Sequence, residues 1–305
     1  MRVSVIICTH NPRTEYLRRT LDGLKAQTVP NDQWEFLLID NASNAMLAES
    51  WNLDWHPAAR HVREENLGLA NARLRAIREV KTDLCIFVDD DNVLDKDYVE
   101  QCLRIANECP HLGVWGGQQR GEFEVEVPVW LKPYLPDTLA VRQFEYTRWS
   151  NFTHNCDSVP FGAGMCVRTS VGRAWAEKVS TDERRSRLGR IGQSLGAGED
   201  VDLALTACEL GMGTGLFSEL QLTHLIPKER LNINYLARLV EGGTVSGAML
   251  NSIWRNEKEL PKISLLRRLQ RQIRIWRKPK PARVLERAKV RGYDIARELL
   301  DRSEI

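Results

Sequence analysis

The sequence predicts an α/β fold: a mostly parallel, twisted sheet flanked by helices, with a helical C-terminal extension. Three observations point there. Through roughly the first 110 residues, short β-branched runs alternate with stretches of helical period, the rhythm of parallel strands joined by crossover helices. Several of those runs end directly on acids or amides, as strands do when their carboxyl ends form a ligand site. Beyond residue 260 the chain turns strongly basic and carries a helical apolar stripe.

The elements follow in order. Arg2–Thr9 is β-branched and reads as a buried strand, and His10–Arg13 as a loop. Tyr16, Leu17, Leu21 and Leu24 give Thr14–Gln27 an apolar helical face. Trp34–Asp40 is a second strand, His61–Arg63 a short third, and Leu84–Val88 a fourth that runs into Asp89-Asp90-Asp91-Asn92. Helices fill the intervals from Asn66 to about Val80 and from Asp97 to Cys109. From Gly113 the Gly, Pro and Trp content suggests irregular structure with aromatic surface at Trp115, Trp130 and Trp149. Ser158–Arg168 reads as loop plus strand, Val171–Lys178 as helix, and Glu183–Gly198 as a basic, solvated loop able to act as a lid. Glu199–Leu210 is a helix closed by Gly211, Gly215–Leu225 a strand, and Asn232–Trp254 mostly helical.

The composition excludes several classes. With 43% hydrophobic and 28% charged residues, the chain is neither disordered nor fibrous. At roughly 150 residues per domain, its 305 residues suggest two domains or one large α/β domain with an appendage. Seven cysteines without metal-site spacing point to a reducing, cytoplasmic setting, in which the sequons at Asn41 and Asn151 are chance matches. No apolar run approaches the ~18 residues of a membrane span. The net charge of +2 is uneven: residues 261–305 carry +9, and the first 260 carry −7.

Chemistry concentrates at three strand ends: Thr9-His10-Asn11, Asp40-Asn41 and Asp89-Asp90-Asp91. Crowded carboxylates lose hydration and repel one another, so a triplet at the end of a buried strand calls for a cation such as Mg²⁺ or Mn²⁺, shared with substrate phosphates. Glu199-Asp200 opens a helix behind Gly196-Ala197-Gly198, where acids either complement the helix dipole or serve as a catalytic base. Gly211–Gly215 resembles a phosphate loop but lies after a helix and before a strand, so it reads as a helix stop.

Taken together, Val3–Asn11, Phe36–Ser43, Asn66–Arg73, Phe87–Asn92 and Gly198–Leu203 resemble the successive motifs of glycosyltransferase family 2, which has the nucleotide-diphospho-sugar transferase (GT-A) fold. The resemblance covers roughly residues 1–225. It implies an inverting transferase that moves a sugar from a nucleotide-diphospho-sugar, a UDP-sugar by family frequency, to a glycan or lipid-linked hydroxyl. It further implies Asp91 and Asp89 at a Mn²⁺ or Mg²⁺ ion with His224 as a third ligand. Thr9, Asn11, Asp40, Arg73, Asp89 and Asp90 would form the nucleotide pocket. Asp200 would be the general base, with Glu199 orienting the base or the acceptor, and Arg230 and Arg238 could face the diphosphate. Asn92 stands where many relatives carry another Asp. The alternatives are a sugar nucleotidyltransferase, which lacks support in Thr9–Pro12, and a non-catalytic binding protein on the same fold.

This reading divides the chain into a catalytic unit at 1–225, a closing helical segment at 226–260 and a basic amphipathic tail at 261–305. Within the catalytic unit, 1–112 would hold the nucleotide and 113–225 the acceptor. In the tail, Leu265, Leu266, Leu269, Ile273 and Trp276 share one helical stripe, surrounded by Arg267, Arg268, Arg271, Arg274, Arg277 and Lys278. The segment 262–283 has nine basic residues and no acid. It reads either as a peripheral anchor on an anionic membrane face or as a helix neutralising the acidic body. No nucleic-acid partner is expected.

Overall fold

The computed structural model describes residues 2–154, 157–190, 192, 195–255 and 264–302. Cys156, residues 191, 193 and 194 of the expected lid, and Lys262 lie outside the described residues, as do the side chains of Leu265 and Arg268.

The strands are β1 Val3–Thr9, β2 Trp34–Asn41, β3 Ala59–Glu64, β4 Leu84–Val88, β5 Asn92–Leu94, β6 Leu112–Phe123, β7 Arg148–Ser150, β8 Met165–Arg168 and β9 Gly213–Ile226. The helices are α1 Thr14–Lys25, α2 Leu47–Ser50, α3 Leu69–Glu79, α4 Tyr98–Glu108, α5 Leu135–Leu139, α6 Thr169–Thr181, α7 Glu183–Ser186, α8 Glu199–Glu209, α9 Ile233–Arg255, α10 Leu265–Trp276 and α11 Lys280–Asp301. One sheet runs β3-β2-β1-β4-β8-β6-β9-β5, with β7 added beside β9. β1, β2, β3 and β4 are mutually parallel, β8 is antiparallel to both neighbours, and β6 and β9 are parallel to each other.

The expected alternation accounts for the first half of the molecule. β1 is buried along its whole length, because helices cover both faces and leave no polar side to alternate with. One apolar layer joins Val5, Ile7, Leu17, Leu24, Phe36 and Leu38 under α1 and α4. The other joins Ile6, Leu37, Ala76, Val167, Trp175 and Leu203 under α3, α6 and α8.

The expectation fails at Gly113. Residues 112–123 are not irregular; they form a twelve-residue central strand, and Trp115 is wholly buried in the core. The glycines that suggested a break serve close packing. β6 shifts register against β9 between Gly116 and Gln118. A Cβ on Gly117 would lie 1.8 Å from the Leu220 carbonyl oxygen. Trp130 packs into a satellite core with Leu131, Leu236 and Leu285. Trp149 is exposed, but it sits on β7 opposite Gly215 and edge-on to His111, near the start of β9 and not at its carboxyl end.

The basic tail divides in two. α11 lays Ala282, Leu285, Ala288, Gly292 and Ala296 onto α9, its small residues allowing close approach. α10 touches α11 only lightly.

Gly117→Ala tests the β6–β9 junction. A methyl group there meets backbone, which cannot rotate away, so the variant should lose about 3 kcal/mol or more in urea denaturation. Gly243→Ala, whose Cβ would meet nothing within 4 Å, is the control and should unfold near the parent midpoint.

Candidate active site

Parallel pairing brings the polar ends of β1, β2 and β4 to one edge of the sheet. Thr9 lies in register with Asp40. The Thr9 hydroxyl donates to the Asp90 carboxylate, and Thr20 donates to the Asp90 carbonyl at 3.1 Å. Asn11 has a left-handed backbone at φ 49°, which suits an amide side chain. Its N–H donates to Ser43 Oγ at 2.9 Å, and its Oδ1 accepts from Asn44 N–H at 2.9 Å. Asp40 Oδ1 accepts from Ser43 N–H at 3.0 Å, while Oδ2 accepts from Leu47 N–H at 3.1 Å and Arg63 at 2.8 Å. Burial opposes the Asp40 charge, yet these donors hold its carboxyl below the usual range. Asp40 therefore organises the turn after β2.

The acidic triplet is arranged by β5, which turns back from Asp91 and pairs antiparallel with β9, Asn92 opposite His224. Leu225 N–H donates to the Asp91 carbonyl at 2.8 Å. That register puts His224 Nε2 3.6 Å from Asp91 Oδ2, and Arg230 follows with Nη2 at 2.9 Å from the same oxygen. Arg230 Nη1 also lies 3.0 Å from His224 Nε2. A guanidinium only donates, so Nε2 is the acceptor there. Burial alone would protonate Asp91, but the Arg230 guanidinium outweighs it and keeps Asp91 well below the ordinary carboxylate range. Its neighbours go the other way. Burial and the Asp91 charge push Asp90 up to about 7 and raise Asp89, with Thr9 opposing at Asp90 and Arg73 at Asp89.

These residues fit a divalent ion in part. Asp91 and His224 present a carboxylate oxygen and a ring nitrogen to one point, where Arg230 now supplies the positive charge. His224 Nδ1 is buried and has no hydrogen-bond partner in the structure. Among the described residues no three His, Cys, Asp or Glu side chains converge tightly enough to hold an ion alone. Substrate oxygens would have to complete the shell, as is usual for Mg²⁺.

Glu199 and Asp200 reach the same region from the start of α8, after Gly198 at φ +104°. Glu199 is 5% exposed, and its Oε1 accepts from Arg73 Nη1 at 3.0 Å. Burial raises the Glu199 carboxyl to about 7, with Arg73 opposing. Asp200 is partly exposed; its Oδ2 accepts from Gly162 N–H at 2.9 Å and its Oδ1 from Val201 N–H at 2.8 Å. Gly162 is needed for close approach, because a Cβ there would lie 2.3 Å from Arg73 Nη2. Arg73 is buried, and its charge acts on Glu199, Asp89 and Asp200 together. It thus stands among the acids, paired with Glu199.

The segment expected as a solvated loop opens with the short helix α7, and one of its arginines is buried. Arg185 is buried against Asp202, which also accepts from Trp175 Nε1 at 2.9 Å and Trp254 Nε1 at 2.8 Å. Arg190 accepts Leu69 N–H on its carbonyl, and its charge bears on Asp89, Asp91 and Glu199. Arg185 is buried within a run that otherwise reads as surface charge, while Arg190 is exposed. Arg142 also escaped notice; it lies 4.0 Å over the Phe161 ring, and burial lowers its guanidinium to about 10. Arg238 is elsewhere, lining a cavity with Arg187, Gly196 and Met249.

Comparison with known proteins bears on the chain as a whole. Residues 4–167 match Glycosyl transferase family 2. Two Bacillus subtilis (strain 168) proteins named as glycosyltransferases align in part: EpsH at 28% identity over 109 residues and the uncharacterized YfnE at 30% over 119. Those alignments cover 35% and 38% of this chain and 30% of each relative. Among solved structures, S. aureus TarS 1–349 in complex with UDP-GlcNAc superposes with a TM-score of 0.52 at 15% identity, covering 99% of this chain and 92% of that one. The Pyrobaculum calidifontis mannosyltransferase PcManGT, in complex with GDP-Man and Mn²⁺, gives 0.55 at 16% identity, covering 99% and 73%. At these identities the likeness is one of fold.

Two measurements probe the buried pair. Arg73→Met leaves Glu199 without its cation and should cost about 3–5 kcal/mol in urea, and adding Glu199→Gln should restore part of it. Separately, Glu199 rises from an ordinary 4.5 to about 7 on folding, so the native state binds the extra proton between those values. Stability should therefore fall as pH rises through that window, and Glu199→Gln should flatten the slope of midpoint against pH.

Proposed function

The chain belongs to glycosyl transferase family 2, and from that premise we propose that it transfers a sugar from a nucleoside-diphosphate sugar to a hydroxyl acceptor by one inverting displacement. The observation that carries this reading is that the acidic end of β4 meets the start of α8: Asp89, Glu199 and Asp200 all lie within the field of the buried Arg73.

Thr9, Asn11, Asp40 and Asp90 form the nucleoside side of the pocket, with the Asp40 carboxylate accepting from a base N–H. Asp89 faces the ribose and diphosphate. Arg230 and Arg190 supply cationic charge to the phosphates. Asp91 and His224 would hold Mn²⁺ or Mg²⁺, which when bound offsets the charge gained by the departing diphosphate. Of the two acids opening α8, Glu199 is enclosed and committed to Arg73. Asp200 is the one an acceptor hydroxyl can reach. Its two backbone donors, Gly162 and Val201, orient the carboxylate. It takes the hydroxyl proton late, as the bond to an oxocarbenium-like anomeric carbon acidifies that proton. Glu199 and Arg73 position Asp200 without touching the acceptor.

The donor is a UDP-sugar in this reading. TarS, which resembles this chain over nearly its full length, is known with UDP-GlcNAc, and PcManGT with GDP-Man, so the nucleotide is what the experiment must decide. The acceptor is a glycan or lipid-linked hydroxyl.

Calorimetry with UDP and with GDP, each with Mn²⁺, should give saturable binding for UDP. Failure of every nucleoside diphosphate to bind would refute the reading. In a donor-turnover assay, Asp200→Asn should lower kcat by roughly 10²–10⁴-fold while leaving nucleotide affinity near the parent value. A variant that lost affinity instead would place Asp200 in donor binding.

A further inference from the structure

α10 is amphipathic, yet its apolar side is not what holds it to the protein. Leu266, Leu269, Ile273 and Trp276 fall on one face at helical spacing, and all four are between 54% and 69% exposed. Contact with the rest of the chain runs through a different face, where Ile275 is 3% exposed. The next helix lies on α9 through its own Ala and Leu stripe, so α10 is tethered to a fixed element while its larger hydrophobes face outward. A helix whose role was to neutralise the acidic body would be turned the other way.

The charge pattern selects the occupant. Arg267, Arg274 and Arg277 are exposed around that stripe, and residues 262–283 contain no acid. A second copy of this chain would bring the same cations against these, which like-charge repulsion opposes. An anionic surface with an apolar layer just beneath its charges satisfies both parts of the face. Trp276 sits where an aromatic ring straddles such a boundary, with the Arg283 guanidinium 5.9 Å above its ring. We propose that the exposed face of α10 seats the protein on an anionic lipid bilayer, Leu266, Leu269, Ile273 and Trp276 entering the headgroup boundary and the arginines pairing with lipid phosphates. No described helix is long and apolar enough to cross a membrane, so this contact lies in the surface plane. It stands apart from the transferase reading, because it needs no donor and no turnover.

Flotation of the full chain with phosphatidylglycerol-containing vesicles, and with pure phosphatidylcholine vesicles, tests it. The parent should float with the anionic vesicles only and should detach as salt is raised. Because the four hydrophobes are solvent-facing, changing all of them to Gln should leave the melting temperature unchanged yet abolish flotation. Replacing Arg267, Arg274 and Arg277 with Gln should weaken binding about a hundredfold at low salt. The proposal is overturned if the parent fails to float, or if the four-Gln variant floats as well as the parent. It is also overturned if light scattering shows a parent dimer that the four-Gln variant converts to monomer, which would make the face a protein interface.

Discussion

The buried contact between Arg73 and Glu199 is the constraint on which the geometry of the site depends. Arg73 belongs to α3, on the side of the sheet built by the first four strands, while Glu199 opens α8, more than a hundred residues later in the chain. Neither charge has water to retreat to, so the two elements are held at one spacing or both charges are stranded. Everything nearby takes its place from that spacing. Gly162 passes close enough to the guanidinium to donate to Asp200, and Asp89 lies within the field of the same cation. A second buried cation on the far side, Arg185 against Asp202, joins α7 to α8, and the indole N–H groups of Trp175 and Trp254 complete the carboxylate's partners. The first two turns of α8 are thus gripped from both sides, which is what a carboxylate needs if it is to be aimed and not merely present.

The first half of the fold was legible in the sequence because its signals are local. A buried parallel strand announces itself by unbroken β-branched residues, and the acids at its end by where they stop. β6 was not legible. Its glycines look like punctuation in a single sequence, and only the approach of Leu220 on the neighbouring strand explains why position 117 cannot carry a side chain. The same holds for Arg185. In a run with Arg184, Arg187, Asp182 and Glu183 nothing distinguishes an arginine bound for a buried carboxylate from one bound for water. Asp89, Asp91, Asp200 and His224 were found as residues, but the sequence did not show that Arg230 would stand between the last strand and the triplet. That contact depends on a strand pairing of Asn92 with His224 across more than 130 residues.

The division of charge noted in the sequence acquires two separate explanations. Many of the acids of the body are internal partners: Asp40, Asp91, Glu199 and Asp202 each face an arginine. The tail does not serve as their counterweight. Its second helix is a packing element, and its first turns Arg267, Arg274 and Arg277 together with its four large hydrophobes away from the protein.

Arg230 has a bearing on how the protein comes into being. Where a cluster of acids is balanced only by an ion, the chain cannot finish folding until that ion arrives, and its stability rises and falls with supply. Here the arginine is covalently part of the chain and satisfies Asp91 as soon as β9 is in place. Any cation arriving at Asp91 would therefore have to compete with a resident one.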